Sequence, residues 1–129
     1  MTVKNLFIFD AIVCLLFGLP LIFTPQVLAN IFLVDPALSN GAIATFRSYG
    51  IILSGAGIAL LCARNALPSK ARRAFLIFIV ISGLFTAINN THGVVTGIGN
   101  NNEWSVIILT AIISVWGIIH LLKEKVGDV

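Results

Sequence analysis

Asp10 and Arg47 stand inside long apolar stretches of this sequence, with His92 and His120 toward the ends of two others, and ionisable groups in such places need a reason. A charge at mid-bilayer costs roughly 2.5 kcal/mol or more, so such groups face protein, line a polar cavity or reach toward a membrane surface. Arg47 offers a planar fork of donors that suits an anionic or carbonyl-bearing head group. Asn89, His92 and Thr110 supply the amide, imidazole and hydroxyl groups that would complete such a site. Asp10 and His120 make a second pairing, a carboxylate and an imidazole that would relay a proton. Ordinary solvation near a membrane boundary accounts for that pair equally well. Cys14 and Cys62 form no CxxC motif and no disulfide framework, and both read as small buried residues. Asn89-Asn90-Thr91 fits the glycosylation pattern but falls within an expected span, where no such modification occurs.

The elements that must hold these residues follow from composition. Of 129 residues 58% are hydrophobic and only 10% charged, which makes a bilayer rather than water the main solvent. A span needs about 20 predominantly apolar residues. The chain offers four such stretches, at 6–23, 42–63, 74–95 and 104–122. The expected fold is an all-α integral membrane protein, a single four-transmembrane-helix bundle over 1–129. Lys4 before an apolar run and Val27-Leu28-Ala29 after it imitate a signal peptide, yet Asp10 interrupts that run, and the segment reads as a retained helix.

Basic residues near helix ends favour the cytoplasmic side. Lys4 precedes the first span; Arg64, Lys70, Arg72 and Arg73 lie between the second and third; Lys123 and Lys125 follow the fourth. The opposite connections hold Asp35 and Glu103 and no Lys or Arg. Both termini are therefore expected in the cytoplasm, and the net charge of +3 reflects topology and a face toward anionic lipid, not nucleic acid. Asp35-Pro36, Pro68-Ser69 and Asn102-Glu103 read as helix starts. Pro20 and Pro25 bracket the outer end of the first span, and 26–34 is apolar but too short to cross, so it is expected along the outer interface.

Register brings the polar groups together. Arg47 shares a helical stripe with Gly50, Ser54 and Gly57, and small residues mark the face that meets other helices. A turn near Leu67 sets Arg47 level with Ala87, close to Thr86, Asn89 and Asn90; a loop near Gly99 sets Asn89 level with Thr110 and His92 level with Ile107. The third span carries the stripe Ser82, Thr86, Asn89 and Gly93, and the fourth carries Thr110, Ser114 and Gly117. A polar pocket in the outer half, lined by Arg47, Asn89, His92 and Thr110, follows from this register. Snorkelling of Arg47, or hydrogen bonds among these side chains alone, would use the same residues. Tyr49, on another face of the second span, is expected to meet lipid or a partner.

Gly18-Leu19-Pro20 with Phe23-x-Pro25, then Arg47-x-x-Gly50 and a glycine-rich second span closing at Ala63-Arg64, resembles the small four-helix bacterial membrane proteins of the DoxX-like type. The resemblance implies the four-helix fold and a bacterial inner-membrane location, and it brings no catalytic residue.

Function narrows by exclusion. The chain shows no poised nucleophile, metal-ligand set or cofactor motif, which argues against an enzyme and gives no catalytic residue, metal or cofactor to expect. Related halves and broken spans, the marks of a secondary transporter, are not evident, nor is a pore face. Two readings remain, and the small-residue stripes favour the first. One is an accessory or scaffolding subunit, homo-oligomeric or within a larger membrane complex, that uses Gly50, Ser54 and Gly57 as its helix-packing face. The other is a binder of a lipid or small amphipathic molecule.

Overall fold

A computed structural model describes residues 2–124. It contains five helices: α1 (Val3–Phe23), α2 (Pro25–Phe32), α3 (Asn40–Ala63), α4 (Lys70–Val95) and α5 (Glu103–Lys123). All but α2 are long and apolar enough to cross a membrane, and no strand forms among the described residues. Each of the four expected spans is present and is longer by one to four residues at its ends.

The added turns come from caps. Thr2, Ser39 and Ser69 each accept a hydrogen bond from a free backbone N–H of the first turn, the groups a helix start leaves without partners. The start of α3 differs from the sequence expectation: Asp35 does not cap it. Its Oδ1 accepts instead from Ala37 N at 3.2 Å, a local turn that consumes the side chain, and α3 begins after Ser39. At Asn102, the residue before α5, the side chain makes no cap bond. It donates across the molecule to Ile31 O at 2.8 Å. Pro20 lies inside α1, and Pro25 occupies the first turn of α2.

The bundle is built of two close pairs, α1 with α3 and α4 with α5. Although only 64–69 connects α3 to α4, these two do not pack along their length. Side-chain size decides the pairing. A Cβ on Gly50 would meet Gly18 O at 2.7 Å, and one on Gly57 would meet Ala11 O at 3.0 Å, so α1 approaches α3 through glycine. In the second pair a Cβ on Gly83 would collide with Ser114 Oγ, and one on Gly117 would meet a Val80 methyl at 2.7 Å.

The pairs join at the end of the bundle that carries the basic residues. Leu6, Phe7, Ala11, Leu60, Leu76, Ile79 and Ile113 form one buried core from all four long helices there. Arg72 pairs with Glu124, and Arg73 donates to Glu124 O at 3.0 Å, which ties the start of α4 to the end of α5. Lys125 lies outside the described residues. At the far end, Asn100 Nδ2 donates to Ile31 O at 2.8 Å, while Asn100 N donates to Phe32 O and Val34 N to Ile98 O. These bonds lash the end of α2 to the α4–α5 connection. Between the core and this asparagine clasp, the two pairs stand apart.

Candidate functional site: a cleft between the helix pairs

The gap is a cleft of about 250 Å³ lined from all five helices. Ile79 and Ile113 of the core form its floor, while Leu28 and Phe32 of α2 close the clasp end. Its walls are mainly apolar, with Phe17, Phe46, Tyr49 and Phe78 the largest side chains. Polar groups run along it: Asp10 and Cys14 on α1, Ser82, Thr86 and Asn90 on α4, and Thr110 and Glu103 on α5.

Helical spacing explains each placement. Ser82, Thr86 and Asn90 recur at four-residue intervals, which keeps them on one face of α4; Asp10, Cys14, Phe17 and Leu21, at steps of four, three and four, share one face of α1. The hydroxyls are partly occupied within their own helices, Ser82 donating to Ile79 O at 3.2 Å and Thr110 to Val106 O at 2.8 Å. Their oxygens still have lone pairs to offer. The Asn90 amide makes no hydrogen bond among the described residues and is half-buried, so it keeps both donor and acceptor for another molecule.

Asp10 is 8% exposed, and its neighbour is the Cys14 thiol, whose Sγ lies 4.0 Å from Oδ1. That is a long and weak bond for a carboxylate in an apolar bundle. His120, also buried, is engaged elsewhere: Trp116 Nε1 donates to its Nε2 at 3.0 Å, and Trp116 packs on Phe9 with ring centroids 6.0 Å apart. Asp10 faces the cleft and His120 does not, and no hydrogen bond joins them.

Of the four residues assigned to a pocket from sequence, Thr110 lines the cleft. Arg47, Asn89 and His92 are exposed on the chain and lie outside it. The offset is one of helical phase. On α3 the residues entering the cleft are Phe46 and Tyr49, which flank Arg47; on α4 it is Asn90, one position and about 100° beyond Asn89. The signal was in the sequence as the Ser82, Thr86, Asn90 spacing, which competes with the Ser82, Thr86, Asn89 stripe and differs from it by one residue. Gly50, Ser54 and Gly57 are buried against α1 within the chain. Nothing in the sequence marked Asp10 and Glu103 as belonging to one cavity, because that depends on α1 and α5 bordering the gap between pairs.

No protein-family model, curated protein or solved structure matches this chain. The DoxX-like resemblance is carried by the quoted motifs alone.

Proposed function

We propose that this multi-pass membrane protein binds a small amphipathic molecule in the cleft between its helix pairs. The observation that carries this reading is the cleft itself, a mostly apolar cavity with an unengaged amide, Asn90, and hydroxyl oxygens along one side. Binding sites for small molecules are commonly of this kind, concave and apolar with a few placed polar groups. The apolar body of such a ligand would lie among Phe17, Phe46 and Phe78, with its polar part along Ser82, Thr86 and Asn90. The accessory-subunit reading drew on Gly50, Ser54 and Gly57, and these are engaged by α1, so they offer no face to a partner.

The same proposal sets the protein in a bacterial inner membrane with both ends cytoplasmic, which the grouping of Lys4, Arg64, Lys70, Arg72, Arg73 and Lys123 at one end supports. The clasp end of the cleft then lies in the outer leaflet. Cysteines placed singly at Asn101 and Lys70 in a Cys62→Ser background test this with an impermeant thiol reagent on intact cells. Labelling at position 101 and protection at position 70 are expected, and the reverse pattern would overturn the orientation.

The binding reading is tested with N-phenyl-1-naphthylamine, a neutral dye that brightens in apolar surroundings, added to the full chain in maltoside micelles. Saturable binding is expected. Ala56→Trp, which fills the cleft from α3, should abolish it. Dye uptake that is unsaturable, or unchanged by that substitution, would sink the reading.

A further inference from the structure

The geometry points to a cation-headed amphiphile as the ligand of this cleft, with the Asp10 carboxylate as its counter-charge; this rests on the binding reading above and adds the ligand's charge to it. Asp10 is more than nine-tenths buried, borders the cavity, and among the described residues has one side-chain hydrogen-bond partner, the Cys14 thiol 4.0 Å away. A buried carboxylate of that kind needs a compensating charge or proton, since an isolated ion in an apolar medium is heavily penalised.

Among the described residues the basic side chains are committed elsewhere or lie outside the cleft. Among the described residues no Lys, Arg or His borders the cleft. Arg72 is held by Glu124 and by Ala66 O, Arg73 by Glu124 O, and Arg64 by Leu61 O. Arg47 and Lys4 are exposed outside the cleft, and His120 is bonded to Trp116.

Two further features favour a positive head group over a negative one. Glu103 borders the same cleft near the clasp, so the second acidic side chain there also repels an anion. The walls present the aromatic rings of Phe17, Phe46, Tyr49 and Phe78, whose faces attract cations. The gap between α3 and α4 gives a hydrophobic cation dissolved in the bilayer a sideways route to these groups.

Isothermal titration of the full chain in maltoside micelles with tetraphenylphosphonium and with its isosteric anion tetraphenylborate decides the point. Tetraphenylphosphonium should bind the parent saturably, and tetraphenylborate should bind no better than it does to Ala56→Trp. Asp10→Asn should weaken the phosphonium by about tenfold or more, as expected for loss of a buried counter-charge. Asp10→Glu should retain the preference for the cation. If the neutral dye binds but phosphonium and borate bind equally, or Asp10→Asn leaves phosphonium unaffected, the charge assignment is wrong and the binding reading stands. If no probe binds, both fall. The comparison of the two ions on the parent chain holds even where a variant fails to fold.

Discussion

The seams within each helix pair and the cleft between the pairs use the same kinds of residue to opposite ends. In the seams, glycine and serine bring backbones together until no room is left, as at Gly50 against Gly18 and Gly83 against Ser114. In the cleft, phenylalanine and tyrosine hold α3 and α4 apart, and the small polar residues of α4 face the space so created. A small residue opposite another small residue closes a contact, and a small residue opposite a large one opens a cavity. Reading which of these holds needs the partner helix, which sequence spacing alone does not name.

The comparison breaks most severely if a seam is forced open. Gly50→Leu would drive a side chain into the Gly18 carbonyl and the Leu21 Cβ, both within 3 Å of the new Cβ, where backbone must move. Overpacking of this kind costs about 3 kcal/mol or more when backbone is the obstacle, and thermal unfolding in detergent should show it. Gly55→Leu is the matched control on the same helix, since nothing lies within 4 Å of its position. Equal loss of stability in the two variants would mean that helix propensity, not the α1 seam, sets the response.

A smaller effect separates the cleft from the exposed surface. Asn90→Leu removes an unengaged amide from the cleft wall and should weaken dye binding several-fold, on the order of the 1 kcal/mol of one hydrogen bond. Arg47→Leu, on the exposed part of α3, should leave the same affinity within about twofold. A drop for Arg47→Leu with none for Asn90→Leu would restore the pocket that hairpin register suggests.

Much of the fold was legible because it rests on local rules. The four long helices and the Ser69 start each follow from apolar length and capping. The Asp35 start did not follow, since a competing turn at Ala37 takes its carboxylate. Depth was legible too: the register levels Asn89 with Thr110, and Asn90, one residue on, lines one cleft with Thr110. Azimuth was harder. A 100° step per residue turns a one-position ambiguity between Asn89 and Asn90 into the difference between exposed surface and cavity. The pairing of α1 with α3 lay furthest out of reach, because a short connection suggests α3 with α4 and only the fit of Gly18, Gly50 and Gly57 reverses it.

The finest contrast lies between the two seams. Each places one serine against a glycine of its partner, Ser54 at Gly18 and Ser114 at Gly83. Ser114 Oγ is fully buried and donates to Thr110 O at 2.9 Å, with Val80 O of the facing helix at 3.4 Å. Ser54 Oγ is buried with no hydrogen-bond partner. Removing a bonded hydroxyl within a membrane bundle costs about 0.6 kcal/mol on average, so Ser114→Ala should destabilise slightly. Removing an unbonded one relieves a desolvated polar atom, and Ser54→Ala should be neutral or stabilising by a similar amount. Both substitutions delete one oxygen and leave seam volume nearly equal, so packing loss largely cancels between them. Paired unfolding measurements of the two variants therefore read the hydrogen bond itself. Stabilities ordered with Ser114→Ala above Ser54→Ala would reverse the assignment of which seam serine is hydrogen-bonded and which is not.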